Sequence, residues 1–250
     1  MAGRSDNPAT EPRDDDADEA ARQQRIADAC VRDGDAAIGR MGLYRRLVRT
    51  NLANVARRLL PRTVAALDAG GSDAPGAFVD WFGRFLADAS PRTSYLRDVP
   101  IEFVAWATPL WRNAPGVAAS LGDIARHEID LFEVETAPRV HPRTVGEVAL
   151  DRPLVFAAPR KLCHYAYAVH TIAEHSTART THVLIHRDDG NDVHTSVIDQ
   201  SKVQLLELLL GGVPLRPAFD EVANLDMPDV AIWLAELGES GALLGGDGSG

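Results

Sequence analysis

Histidine is the residue type whose placement in this chain most invites a chemical reading. Six of the eight histidines lie between His164 and His194, and imidazole serves as metal ligand, general base or proton carrier. If the stretches Thr180–His186 and Val193–Ile198 pair as a hairpin, His182, His186 and His194 share a face. His194 then sits diagonally between the other two, within reach of a common metal. No carboxylate or cysteine completes such a set, so the expectation is a solvated, polar strand face that holds no metal. His170 and Glu174-His175 do not form the His-Glu-x-x-His pattern of a zinc protease. Gly238-Glu239-Ser240-Gly241-Ala242 is not Gly-x-Ser-x-Gly, and it follows a helix rather than a strand. Neither phosphate-binding glycine pattern is present. Glu133 and Glu135 stand two apart, so on a helix they point to different sides. No residue is assigned a catalytic role, and no cofactor is expected in this chain.

The elements that position these side chains divide into two kinds. From Gln24 to Pro138 the apolar spacing is helical. Tyr44, Val48, Leu52, Val55 and Leu59 recur at three- and four-residue steps within Met41–Leu60, with Arg45, Arg46, Arg49, Arg57 and Arg58 mostly on the other side. Pro61 limits that helix. Ala77–Ala87, Pro100–Trp111 and Gly116–Glu135 read as further helices. After Pro138 the texture changes. Leu154–Ala157, Tyr165–Val169, Thr180–His186 and Val193–Ile198 read as strands. With Asp188-Asp189-Gly190 as a three-residue loop and Gly190 left-handed, Ile185 faces Val193 and Val183 faces Thr195. That pairing collects Val183, Ile185, Val193 and Val197 on one face. Asp199 or Ser201 can cap a helix Lys202–Leu210, followed by helices near Pro217–Ala223 and Pro228–Leu237 and a closing strand Gly241–Leu244. The expected fold is α+β in two domains: an all-α helical domain at 25–138, then a winged-helix-like domain of sheet and helices at 139–244. Residues 1–24 and 245–250 are expected to be a disordered acidic tail and a flexible tail.

Composition narrows the function classes. Two hundred and fifty residues with 45% apolar content can bury one large core or two small ones. The net charge is −10, and the folded halves carry 14 basic against 14 acidic groups (25–138) and 9 against 15 (139–250). Duplex binding needs clustered positive charge, so neither half suits nucleic acid. Two cysteines give no disulfide framework. No signal peptide and no apolar run of about 20 residues is visible, so a cytoplasmic, membrane-free protein is expected.

Two resemblances rest on particular residues. Leu43-Tyr44-Arg45-Arg46-Leu47-Val48-Arg49-Thr50-Asn51-Leu52, Leu60-Pro61, Ser90-Pro91-Arg92-Thr93-Ser94-Tyr95-Leu96 and Asp123-Ile124-Ala125-Arg126-His127-Glu128 resemble the helical domain that carries a DNA-binding label in the HvfC-like (MbnC-like) family. The run Leu205–Leu215 leading into Ala231–Leu244 resembles the end of PqqD-like peptide-recognition domains. The first resemblance implies a partner protein of a multinuclear iron-dependent oxidase that modifies a ribosomal precursor peptide, with the iron held by that enzyme. The second implies that this chain holds the peptide's leader.

The residues allow both roles. An extended peptide can add a strand to an open sheet edge. Val183, Ile185, Val193, Thr195 and Val197 of the hairpin, with Leu205, Leu208 and Leu209 of the next helix, are the candidate peptide-binding residues; plain core is the competing reading for most. Tyr44, Arg45, Arg49, Asn51 and Tyr95 are the candidate partner interface. The arginine stripe could instead be a solvated helix face with internal ion pairs or, least suited to a neutral domain, a phosphate contact. The alternative function is a DNA-binding transcriptional regulator reading the major groove with Pro228–Leu237. That helix carries Asp229 and Glu236, with Glu239 just after it, and no Arg or Lys. A stand-alone hydrolase has no motif to support it.

Overall fold

Helices come first. The computed structural model describes residues 40–70, 76–93, 95–140, 145–173 and 176–248, so the acidic segment 1–24 lies outside the described residues. Helix α1 spans Arg40–Leu59 and stops at the expected proline. Pro61 then opens a short helix not anticipated from sequence, α2 (Pro61–Leu67), where its missing N–H costs nothing at the first turn. Helices α3 (Phe78–Asp88), α4 (Val99–Trp111) and α5 (Leu121–Thr136) follow. Their apolar sides meet in an aromatic core where Phe82 and Phe103 pack edge to face, ring centres 5.2 Å apart.

Six strands and three helices follow: β1 (Val145–Gly146), β2 (Leu154–Phe156), β3 (Arg160–Tyr167), β4 (Ala178–Arg187), β5 (Val193–Ile198), α6 (Gln200–Leu210), α7 (Leu215–Glu221), α8 (Met227–Glu239) and β6 (Leu243–Asp247). They form two antiparallel three-stranded sheets, ordered β1-β6-β2 and β3-β4-β5. Asp226 caps α8 by accepting from the Asp229 N–H. The architecture is α+β, with the helical half first and the sheets in the second half.

The sheet β3-β4-β5 is covered on both sides. Cys163, Tyr165, Val183 and Ile185 pack against Ile124 and Val134 of α5. Leu184 and Ile198, on the opposite face, pack under α6 and α8 against Leu205, Leu206, Val230 and Leu237. Each such fully buried side chain contributes about 1.5–3 kcal/mol, so the sheet is held from two sides at once.

Several expectations need correction. The strand expected at Tyr165–Val169 begins five residues earlier, at Arg160. The hairpin loop is longer than three residues: Arg187 pairs with Val193, Ile185 with Thr195 and Val183 with Val197, a displacement of two positions. Asp188 causes it. Its Oδ1 accepts from the Asp192 N–H (2.9 Å), its own N–H donates to Asp192 O (3.0 Å), and Asn191 rather than Gly190 takes positive φ. Because strand faces repeat every two residues, the displacement leaves each side chain on its expected face. The histidine face is only partly solvated: His182 and His186 are buried beneath the helices, while His194 is half-exposed. Finally, the stretch from Gly245 is not a loose tail as far as Asp247, since β6 is the central strand of its sheet. Glycine here permits contact. A Cβ on Gly245 would stand 2.5 Å from Gly146 O, and one on Gly246 2.3 Å from Glu147 O.

Candidate functional site

Helix α5 is the joint of the molecule, and helical periodicity makes it so. Asp123, Arg126, His127, Asp130 and Glu133 recur at three- and four-residue steps and all engage β3. Asp123 Oδ2 accepts from the backbone N–H of Ala166 (2.6 Å) and Tyr167 (3.1 Å). Arg126 donates to His164 O and lies 4.9 Å over the Tyr165 ring. Tyr165 donates its hydroxyl proton to Asp130 Oδ2 (2.6 Å), and His127 Nδ1 lies 3.3 Å from the Tyr165 hydroxyl oxygen. Lys161 Nζ reaches Asp130 and Glu133, each at 2.5 Å. On the other side of α5, Glu128 accepts from Arg62 N–H (2.7 Å), Thr63 N–H (3.0 Å) and the Thr63 hydroxyl (2.6 Å), capping α2.

This seam contains base, acid and nucleophile types, and burial shifts several of them. Burial, then the Arg62 charge, lowers His127 to about 4 and keeps it neutral. Burial, then the nearby Asp130, pushes the Cys163 thiol up to about 12. Burial and the hydrogen bond to Asp130 raise Tyr165 as well. Desolvation pulls Lys161 down, yet the two carboxylates outweigh it and bring it to about 12. Burial raises Glu128 against the three donors that favour its ionised form. What the arrangement does is hold α5 to the sheet.

The histidines tie together the opposite face. His164 Nδ1 and His182 Nδ1 meet at 2.6 Å, and His182 Nε2 donates to Gln200 Oε1 (2.5 Å). His186 Nε2 donates to Ser240 O (2.8 Å), and His194 Nε2 contacts Asp188 Oδ2 (2.7 Å). That hydrogen bond holds the Asp188 carboxyl below the usual range. Among the described residues no group of three His, Cys, Asp or Glu converges to hold a metal ion.

The candidate peptide-binding residues separate by burial. Val183, Ile185 and Leu205 are fully buried and Leu209 nearly so, all as core. Leu208 and Val193 are half-buried, while Thr195 and Val197 are exposed, Val197 by 52%. These last two lie on β5, which among the described residues is an edge strand paired with β4. Of the candidate partner interface, Tyr44 (53%), Tyr95 (65%) and Asn51 are exposed, Arg49 is half-buried and Arg45 is buried. Helix α1 is thus rotated slightly from its expected phase: Leu52 stays inward as expected, Arg45 and Ala56 join it, and Tyr44 turns out.

Sequence reasoning missed two surfaces. Leu43 and Leu47, four apart and exposed by 65% and 56%, form an apolar stripe with Tyr44; their spacing was the available signal. A groove of about 730 Å³ runs between α8 and the first sheet, lined by Val148, Leu150, Met227, Ala231, Leu234 and Leu244.

Residues 157–236 match the model of the HvfC C-terminal domain. The match spans β3, β4, β5, α6, α7 and most of α8. It therefore lies on the half whose end resembles PqqD-like domains, whereas the HvfC-like motifs of the helical half lie outside it. A search of curated proteins finds none similar to the chain. The family likeness therefore rests on residues 157–236, the stretch that holds the sheet β3-β4-β5 and its covering helices.

Proposed function

We propose that this protein is a non-catalytic partner subunit that binds the leader of a ribosomally made precursor peptide along the outer edge of β5. It presents the cysteine-bearing remainder to a separate iron-dependent oxidase. One observation carries the reading: within the HvfC C-terminal stretch, and among the described residues, β5 has a strand on one side only and exposes Thr195 and Val197. A strand edge offers a row of backbone donors and acceptors, which an extended peptide can satisfy. The leader's alternate side chains then meet Val193, Thr195 and Val197. Two or three apolar anchors, at about 1.5–3 kcal/mol each when fully buried, give micromolar affinity after ordering costs. The reading assigns the iron to the partner enzyme. The exposed stripe of Leu43, Tyr44 and Leu47, with Tyr95, offers that enzyme an apolar docking surface.

Proline scanning of the leader tests the binding mode, because proline removes a backbone donor while keeping apolar bulk. Affinity is expected to fall at alternate leader positions by about 0.5–1.5 kcal/mol each. Val197→Asp is expected to weaken leader binding at least about tenfold without unfolding the protein. Prolines tolerated throughout the leader, together with unchanged affinity for Val197→Asp, would remove the strand-addition model.

A further inference from the structure

We propose that mild acid loosens the sheet β3-β4-β5 from the helices on both of its faces, while the N-terminal helical bundle stays folded. The first histidine of the chain is His127. All histidine contacts described above fall on the two faces of the sheet β3-β4-β5, while the aromatic core of the bundle contains none.

The register makes the arrangement concrete. On the face toward α6 and α8, Arg160, His186 and His194 form one cross-strand row, and His164, His182 and Ile198 another. Leu162, Leu184 and Ser196 lie between them. His186 is 0% exposed and donates through Nε2, so a further proton must go to Nδ1, which is buried and has no partner. That cation would share a row with the Arg160 guanidinium and stack against His194, ring centres 5.3 Å apart. Opposing this are Asp188, already bonded to His194, and the Ser240 carbonyl at the end of α8. Burial outweighs them and lowers His186. The His164–His182 contact, 2.6 Å between the two Nδ1 atoms, lies in the second row. Glu207, 3.8 Å from His164 Nε2, and Gln200 are the α6 groups facing that pair.

The other face carries His127, buried between α5 and β3. Arg62 and His170 oppose its protonation and Asp130 favours it. Protons are therefore taken up by opening both faces of the sheet, and opening both detaches the same element. This inference stands apart from the peptide-binding reading.

Hydrogen exchange on the full chain at pH 7.5 and pH 5.5, corrected for intrinsic rates, tests it. Peptides from 160–198 and 200–239 are expected to lose protection at least tenfold more than peptides from 78–111. His186→Gln, which keeps a side-chain donor without a titrating ring, is expected to move the onset to lower pH. Should it fail to fold at neutral pH, His127→Phe, which removes the titrating ring from the other face, serves the same purpose. Simultaneous loss of protection in bundle and sheet, equal protection at both pH values, or an unchanged onset in the folded variant would overturn the proposal.

Discussion

Glu128 shows how one side chain can hold two distant segments together. It sits 65 residues from Thr63 yet fills both orphan N–H groups at the start of α2 and takes the Thr63 hydroxyl as well. Removing it strands buried donors, so Glu128→Ala is expected to cost about 2–3 kcal/mol, and Glu128→Gln less. Thermal or denaturant unfolding measures both. His127, its neighbour, sets a pH dependence. Its folded value near 4 lies below the ordinary 6.5, so the unfolded chain binds the proton more readily. Stability is unaffected above about pH 6.5 and declines as pH falls toward 4, by about 3 kcal/mol over that window. His127→Phe is expected to flatten this part of the profile in denaturant titrations at several pH values. Both residues stand within a motif readable in the sequence. Their tasks were not readable, because the partners, Thr63 and Tyr165, are brought to them only by the fold.

At the scale of elements, alternation was legible and register was not. Val183, Ile185, Val193 and Val197 share a face whether the hairpin is paired as expected or displaced by two, since the side-chain period is two. The displacement comes from an Asp188–Asp192 interaction that hydrophobic pattern does not encode. The same limit hid the burial of the histidines: a polar strand face reads as solvated unless the helices that cover it are known. Proline positions were the better guide, marking the end of α1. Glycine misled at β6, where low complexity suggested a loose end but close strand contact explains it. Gly245→Ala and Gly246→Ala are each expected to destabilise the first sheet by more than 2 kcal/mol, Gly245 also through its φ of +151°. Unfolding curves for the two variants check this. A neutral result at Gly246 would mean β1 and β6 tolerate greater separation.

The whole molecule divides by texture as the sequence suggested, helices first and sheets second, and net charge turned attention away from nucleic acid. The docking surfaces were less readable, because a helix phase error of one position exchanges Tyr44 for Arg45. Leu43→Asp with Leu47→Asp is expected to leave stability within about 0.5 kcal/mol and to abolish co-elution with the proposed partner enzyme in size-exclusion chromatography. Retained co-elution would move the interface elsewhere. No sequence-dependent shift is expected with duplex DNA at moderate salt, given the acidic outer side of α8. The double duty of α5 has a practical outcome for anyone dissecting this chain. Pro138 looks like a natural place to cut, but the helix that lids the second sheet lies upstream of it. A fragment starting at 139 would bare Cys163, Val183 and Ile185 and is expected to aggregate. Conversely, a fragment ending there would leave Asp123, Asp130 and Glu133 facing water without their partners. The recognisable unit of homology and the smallest piece that can stand alone are different objects, and the second must begin at or before Leu121.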